Sequence, residues 1–247
     1  MSVQDFERFR HIWKNAIQEK VRSEMSLLPL TFSVFDFGQA SNWGDVVMIT
    51  PPGNDISVKP YTGEDEDPDD SDKKTLCYDH GCYFNFMLKD TCDVSNRHSD
   101  VKLAATRIAA DMDHYLIDKL LQKDCCFTVR YVSQSRSVDA LAEYLRSFDL
   151  EDTGVLLPMQ YRFAMEPDLL EKLTMSATAV VFTDEITEDV FLIKSDALAF
   201  SWSIPRITAY HPELGFVDGI KGLSLCGAEI TNRHKIIRLN TKGAIEC

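Results

Sequence analysis

The sequence has no long apolar run. Uncharged stretches such as Leu173 to Thr183 fall well short of the ~20 residues that cross a bilayer. The start, Met1 to Arg8, is charged and has no apolar segment, so neither a secretion signal nor a membrane role is expected, and folding is expected in a cytosol. Positive charge is also scarce: 26 Lys and Arg against 39 Asp and Glu leave a formal net charge of −13. That balance argues against binding nucleic acid by neutralising phosphates, although it leaves room for a local basic patch. The seven cysteines (Cys77, Cys82, Cys92, Cys125, Cys126, Cys226 and Cys247) are scattered and odd in number. This speaks against an obligatory disulfide framework and points to reduced thiols, mostly buried as small apolar residues. Gly-x-Gly-x-x-Gly, a Walker loop, Gly-x-Ser-x-Gly and His-Glu-x-x-His are all missing, which removes the usual sequence grounds for nucleotide, serine-hydrolase or zinc-protease chemistry.

What the sequence does contain is patterned apolar surface. At 247 residues and 45% hydrophobic composition, the chain can bury one real core, with or without extensions. Ser2 to Met25 reads as an amphipathic helix: Phe6, Phe9, Trp13, Ile17 and Val21 recur at spacings of three and four. Ser2 with Asp5 resembles a capping box, and Pro29 stops the pattern. Such a stripe either packs on its own domain or docks on a neighbouring subunit. In the second case Phe9 and Trp13 are the expected anchors, and a chain without Ser2 to Met25 is expected to fold but not to assemble. His98 to Gln122 is the strongest helix, with Val101, Ala105, Ile108, Met112, Leu116 and Leu120 on one stripe and Ser99 as N-cap. At 1.5 Å per residue it runs roughly 35 Å, long enough to act as a spine.

Asp45 to Thr50 reads as a short strand ended by Pro51-Pro52-Gly53, and Ile56 to Lys59 as extended chain. Between Gly63 and Asp72 stand seven carboxylates, too many charges for a core, so this run is expected to be a solvated tip. From Thr75 to Leu88 the pattern is β-like again. Val46 to Leu88 therefore reads as a long hairpin with an acidic end. Further strands are expected at Phe127–Val132, Gly154–Leu157, Thr178–Phe182, Val190–Lys194, Ile207–Tyr210, Leu225–Thr231 and Lys235–Asn240, with helices at Ser137–Phe148 and Glu166–Leu173. Without a regular βαβ repeat, the mixture implies an α+β fold.

Three constellations offer chemistry. Cys77, His80, Cys82 and Cys92 are the best metal set, but on one strand Cys77 points away from His80 and Cys82, whereas tetrahedral zinc needs convergent ligands. Asp65, Asp67 and Asp69 alternate as calcium ligands do, yet Pro68 interrupts them and neither a bend glycine nor a terminal bidentate Glu follows. Asp111, Asp113, His114 and Asp118 on the long helix could pair as acid and base, but no nucleophile accompanies them, and a solvated polar face is expected. No catalytic residue and no metal or other cofactor is therefore assigned.

The stretch from Gly44 to Leu121 resembles the major capsid proteins of tailed bacteriophages with the HK97 fold, the P22-coat-like members in particular. The likeness lies in an ordered series: Gly44-Asp45-Val46-Val47, then Ile56 to Gly63, then Tyr83 to Asp90, then Ala104 to Leu116. A weaker match joins Ala179 to Asp184 with Phe191 to Phe200. The resemblance implies an N-arm (1–43), an extended E-loop (44–97), a peripheral domain with the spine helix (98–130), an axial domain (131–215) and a return to the peripheral and axial core (216–247).

Functionally, the resemblance implies self-assembly, through pentamers and hexamers, of an icosahedral shell around double-stranded DNA. The protein would sit in the virion, assemble in the host cytoplasm and have no enzymatic activity. Its partners would be other copies of itself, a separate scaffolding protein, a portal and decoration proteins. No matched Lys, Asn and Glu set for autocatalytic crosslinking is evident. An encapsulin-type nanocompartment shell is the alternative within the fold, and a small metal-dependent enzyme the alternative outside it. Expected inter-subunit residues are Phe6, Phe9, Trp13, Asp65, Asp67, Asp69 and Asp70. Arg8, Arg10, Lys14, Arg233, Lys235 and Arg238 are candidate partners for the acidic tip.

Overall fold

The computed structural model describes residues 3–33, 41–49, 74–87, 94–122, 126, 128–131, 141, 144–210 and 219–240, with the backbone alone for 3–12, 94–98 and 128–131. Expectations that fall on the acidic run, on Ile56 to Lys59 and on Cys92 lie outside these residues.

The elements in order are α1 (Val3–Glu24), a 3-10 turn (Leu28–Leu30), β1 (Phe32–Ser33), β2 (Val46–Ile49), β3 (Lys74–Cys77), β4 (His80–Met87) and α2 (Val94–Leu121). There follow β5 (Thr128–Tyr131), β6 (Thr153–Pro158), α3 (Met159–Ala164), α4 (Pro167–Ser176), β7 (Ala179–Thr183), β8 (Asp189–Lys194), β9 (Leu198–Tyr210), β10 (Gly219–Ile230) and β11 (Ile236–Asn240). They make an α+β fold with three sheets, ordered β1-β9-β10-β4, β5-β11-β8-β6-β7 and β2-β3.

The four-stranded sheet is covered on one face by α1 and α2. Ile17 and Val21 of α1, and Ile108, Met112 and Leu116 of α2, are buried with Phe200, Trp202 and Ile220. On its other face the β2–β3 hairpin lays Val47, Ile49, Leu76 and Tyr78 over Ala199 and Leu225. The five-stranded sheet is buried on both sides. Val155, Leu157, Val190 and Leu192 pack with Leu145, Leu169 and Leu173, while Leu156, Phe191 and Ile193 join the first core. Burial on both faces explains why β6 and β8 read as continuous apolar runs rather than alternating ones.

Several boundaries differ from the sequence reading, each for a physical reason. Thr75 to Leu88 is not one strand. It breaks at Tyr78, whose N–H donates to the Asp45 carbonyl at 2.9 Å and whose carbonyl accepts from Gly44 N–H at 2.9 Å. Only β3 pairs with β2; β4 runs antiparallel to β10 and belongs to the core sheet. The hairpin expected over Val46 to Leu88 therefore ends at Cys77. β9 is far longer than Ile207 to Tyr210 and contains Pro205. Its pairing with β10 shifts register between Leu223 and Leu225, leaving an extra residue on β9 where proline's missing N–H is tolerated. β9 and β10 share the sheet of β4, whereas β11 lies in the five-stranded sheet.

Candidate assembly site

The β2–β3 pair is rooted on the long helix α2 by a compact polar cluster. The β3–β4 turn presents Asp79. The Tyr115 hydroxyl on α2 donates to Asp79 Oδ1, and Lys119 Nζ donates to Asp79 Oδ2 at 3.0 Å. The same hydroxyl accepts from Ala228 N–H on β10 at 3.1 Å. His80 stacks on the Tyr115 ring, centroids 4.6 Å apart, and its Nε2 lies 2.8 Å from Asp111 Oδ2. Burial pushes the Asp79 carboxyl up, but the hydrogen bonds from Tyr115 and Lys119 outweigh it and hold its pKa below the ordinary value. Beneath, the Tyr78 hydroxyl and Ser201 Oγ share a 2.6 Å hydrogen bond. Gly227 lets the Cys77 backbone approach so closely that an added Cβ would stand 2.2 Å from its carbonyl oxygen.

Of the helix residues read as a solvated polar face, His114 and Asp118 are indeed exposed, but Asp111, Asp113 and His114 also tie α2 to other elements. Asp113 accepts from the Ser26 and Leu27 N–H groups at 2.8 and 3.1 Å, joining the turn after α1 to α2. Burial raises its pKa. Asp111 holds His80, and His114 Nδ1 lies 2.7 Å from Glu185 of the β7–β8 turn, linking α2 to the five-stranded sheet. His80 and Cys82 do lie on the strand face toward α2. However, burial, then Asp111, pushes the Cys82 thiol up to about 12, and burial raises Cys226 well above its usual value, so both stay protonated. Among the described residues no group of three His, Cys, Asp or Glu is placed to hold a metal, and no helix is long and apolar enough to cross a membrane.

Of the expected contact residues, Trp13 lies half-buried against the subunit's own core. The side chains of Phe6 and Phe9, and residues Asp65, Asp67, Asp69 and Asp70, are outside the described set. Ile17 and Val21 are fully buried in the subunit core, so the expectation that a chain without Ser2 to Met25 still folds is corrected: its removal would open that core. Two candidate partners for the acidic tip are also corrected. Arg238 grips Asp189 through Nε at 2.9 Å and Nη2 at 2.7 Å, and Lys235 donates to Asp196. The sequence reading missed Tyr83, 87% exposed, and Trp43, 63% exposed. Strand alternation alone would have placed Tyr83 opposite the buried Phe84.

This arrangement of one long helix, a β2–β3 pair rooted on it and two sheets sharing one core is the HK97-like capsid fold. It superposes on a virus-like particle from Pyrococcus furiosus with a TM-score of 0.59 at 13% identity, covering 93% of this chain and 98% of that one. A phage-related protein from Bordetella bronchiseptica RB50 gives 0.57 at 11% identity, with 93% and 97% coverage. The capsid of Cyanophage P-SCSP1u gives 0.56 at 10% identity, with 87% of each chain covered. No protein-family model and no curated protein matches the chain.

Proposed function

We propose that the chain is a major capsid protein of a tailed phage. Many copies, as pentamers and hexamers, close an icosahedral shell around double-stranded DNA without catalysing a reaction. The observation that supports this most is the correspondence of fold over nearly the whole length of shell-forming proteins. The virion is the proposed location, with assembly in the host cytoplasm and a separate scaffolding protein, a portal and decoration proteins as partners. The four-stranded sheet with α2 would form the peripheral domain and the five-stranded sheet the axial domain. Phe6, Phe9, Trp13, Asp65, Asp67, Asp69 and Asp70 are proposed to touch neighbouring subunits.

One observation favours a second reading. The virus-like particle covers 98% of its own length on this chain, so a nanocompartment shell of encapsulin type that encloses protein cargo fits the same fold. Expression followed by electron microscopy and analysis of contents separates the two. Closed particles holding DNA favour the capsid, and particles holding protein favour the compartment. A strictly monomeric protein, even with a scaffold supplied, overturns both. Bound metal in the purified protein would instead favour the small metal-dependent enzyme.

A further inference from the structure

Two crossings of the chain between the sheets meet at one place. The chain leaves β8 for β9 through residues 195–197 and returns from β10 to β11 through residues 231–235. The two turns are clasped to each other. Thr231 Oγ donates to the Asp196 carbonyl at 2.6 Å, Thr231 N–H donates to the Ala197 carbonyl at 3.0 Å, and Lys235 Nζ donates to the Asp196 carboxylate. Beside this clasp, on the five-stranded sheet, lies a cleft of about 630 Å³. That volume suits a small molecule, and small-molecule sites favour junctions between structural units.

The floor of the cleft is apolar. Leu192 is buried beneath it, Ile237 lies half-buried beside Leu192 in the strand register, and the half-buried Phe148 forms one side. The rim carries an uncompensated cation. Lys194 Nζ donates to the Glu151 carbonyl at 2.6 Å. This uses only one of an ammonium's N–H groups, and the acceptor is neutral. Among the described residues no carboxylate stands within ion-pair distance of Lys194. The neighbouring Lys235, by contrast, is already neutralised by Asp196. Asp152, the other acid on the rim, is exposed to water. Its backbone holds a left-handed φ of 54°, and its carbonyl accepts from Ser195 N–H at 2.9 Å.

We infer that this cleft binds a small organic anion, its apolar body on Phe148, Leu192 and Ile237 and its acidic group on Lys194. Buried apolar area supplies the affinity, and the ammonium selects for negative charge. Inorganic phosphate alone would leave the floor uncovered. The ligand touches both turns of the clasp, so it favours the clasped arrangement of the two sheets by mass action. The cleft lies within one subunit, and the inference does not rest on what a shell of these subunits encloses.

The test titrates the full chain with anilinonaphthalene sulfonate, a fluorescent organic anion, and with phenylnaphthylamine, which has the same rings and no charge. The native chain should bind the sulfonate saturably. Lys194→Gln, whose amide can still donate to the Glu151 carbonyl, should melt at the same temperature and bind the sulfonate about tenfold more weakly. Lys194→Arg keeps the charge and should keep the binding, and the uncharged probe should not distinguish these chains. Bound sulfonate should slow hydrogen exchange in residues 194–197 and 231–235. Lys221→Gln is the control, because this exposed cation sits by the Tyr210 ring on the other sheet, and it should change nothing. Absence of saturable binding to the folded native chain overturns the inference. So does native-like binding by Lys194→Gln, or equal weakening by Lys221→Gln, which would place the probe on exposed aromatic surface. Should Lys194→Gln not fold, Lys194→Arg decides: loss of binding by that folded variant overturns the inference, and retained binding with protection of both turns supports it.

Discussion

The Tyr115 hydroxyl donates to the Asp79 carboxylate while accepting from the Ala228 N–H, so a single phenol on the long helix holds both the β3–β4 turn and a strand of the core sheet. Tyr115→Phe leaves the Ala228 N–H buried without a partner and Asp79 without one of its donors. The expected loss is about 2–3 kcal/mol in chemical denaturation, with faster hydrogen exchange concentrated in β3 and β4. Because Asp79 is held below its ordinary pKa, its stabilisation is present above the unfolded value of about 3.9 and lost as pH falls through the lower folded value. The variant should show a smaller loss on that acid limb. An acid limb as steep as the native one would contradict this role.

Arg238 donates to both Asp189 oxygens, through Nε and Nη2, and Asn240 Nδ2 adds a third donor to Asp189 at 2.9 Å. Both side chains are largely withdrawn from water, at 22% and 12% exposure. Asp189→Ala removes the carboxylate that Arg238 and Asn240 share and is expected to cost about 2–4 kcal/mol. Arg238→Lys keeps the charge but not the planar fork and should also destabilise, by less. Equal stability of Arg238→Lys and the native chain in urea would show that charge alone matters.

His114 responds to pH in the opposite sense to Asp79. Its hydrogen bond to Glu185, with the charges of Glu185 and Asp118, raises its pKa. The raised group contributes stability that is complete below the unfolded value of about 6.5 and is lost as pH rises through the folded value. The melting temperature of the native chain should therefore exceed that of His114→Gln at acidic pH, and the two should converge once the pH has risen past the raised folded value. A constant gap would rule out titration of His114 as its source.

The first helix should divide functionally at Trp13. Ile17→Ala removes a fully buried side chain and is expected to cost about 2–5 kcal/mol. Removing residues 2–12 leaves Ile17, Val21 and Met25 in place and should preserve the melting temperature while impairing assembly. Normal particles from the shortened chain would remove the proposed docking role of Phe6 and Phe9.

The sequence by itself determined most of the elements and the order in which they occur. Helical spacing from Phe6 to Val21 and from Val101 to Leu120 marked α1 and α2, and short apolar runs marked β6 and β8, because burial on a helix stripe or a strand leaves a period in the chain. Net charge and absent motifs narrowed the chemistry for the same local reason. Only the tertiary structure decided which sheet each strand joins: that β4 leaves the hairpin for β10, and that β9 continues past Pro205 through a bulge. It alone turned Asp113 from a surface charge into the acceptor that fastens the chain after α1, and committed Arg238 to Asp189 rather than to a neighbour. These partners stand 87 and 49 residues apart in the chain. A pairing across such distances leaves no period to read, since its energy arises only when folding brings the two groups together out of water.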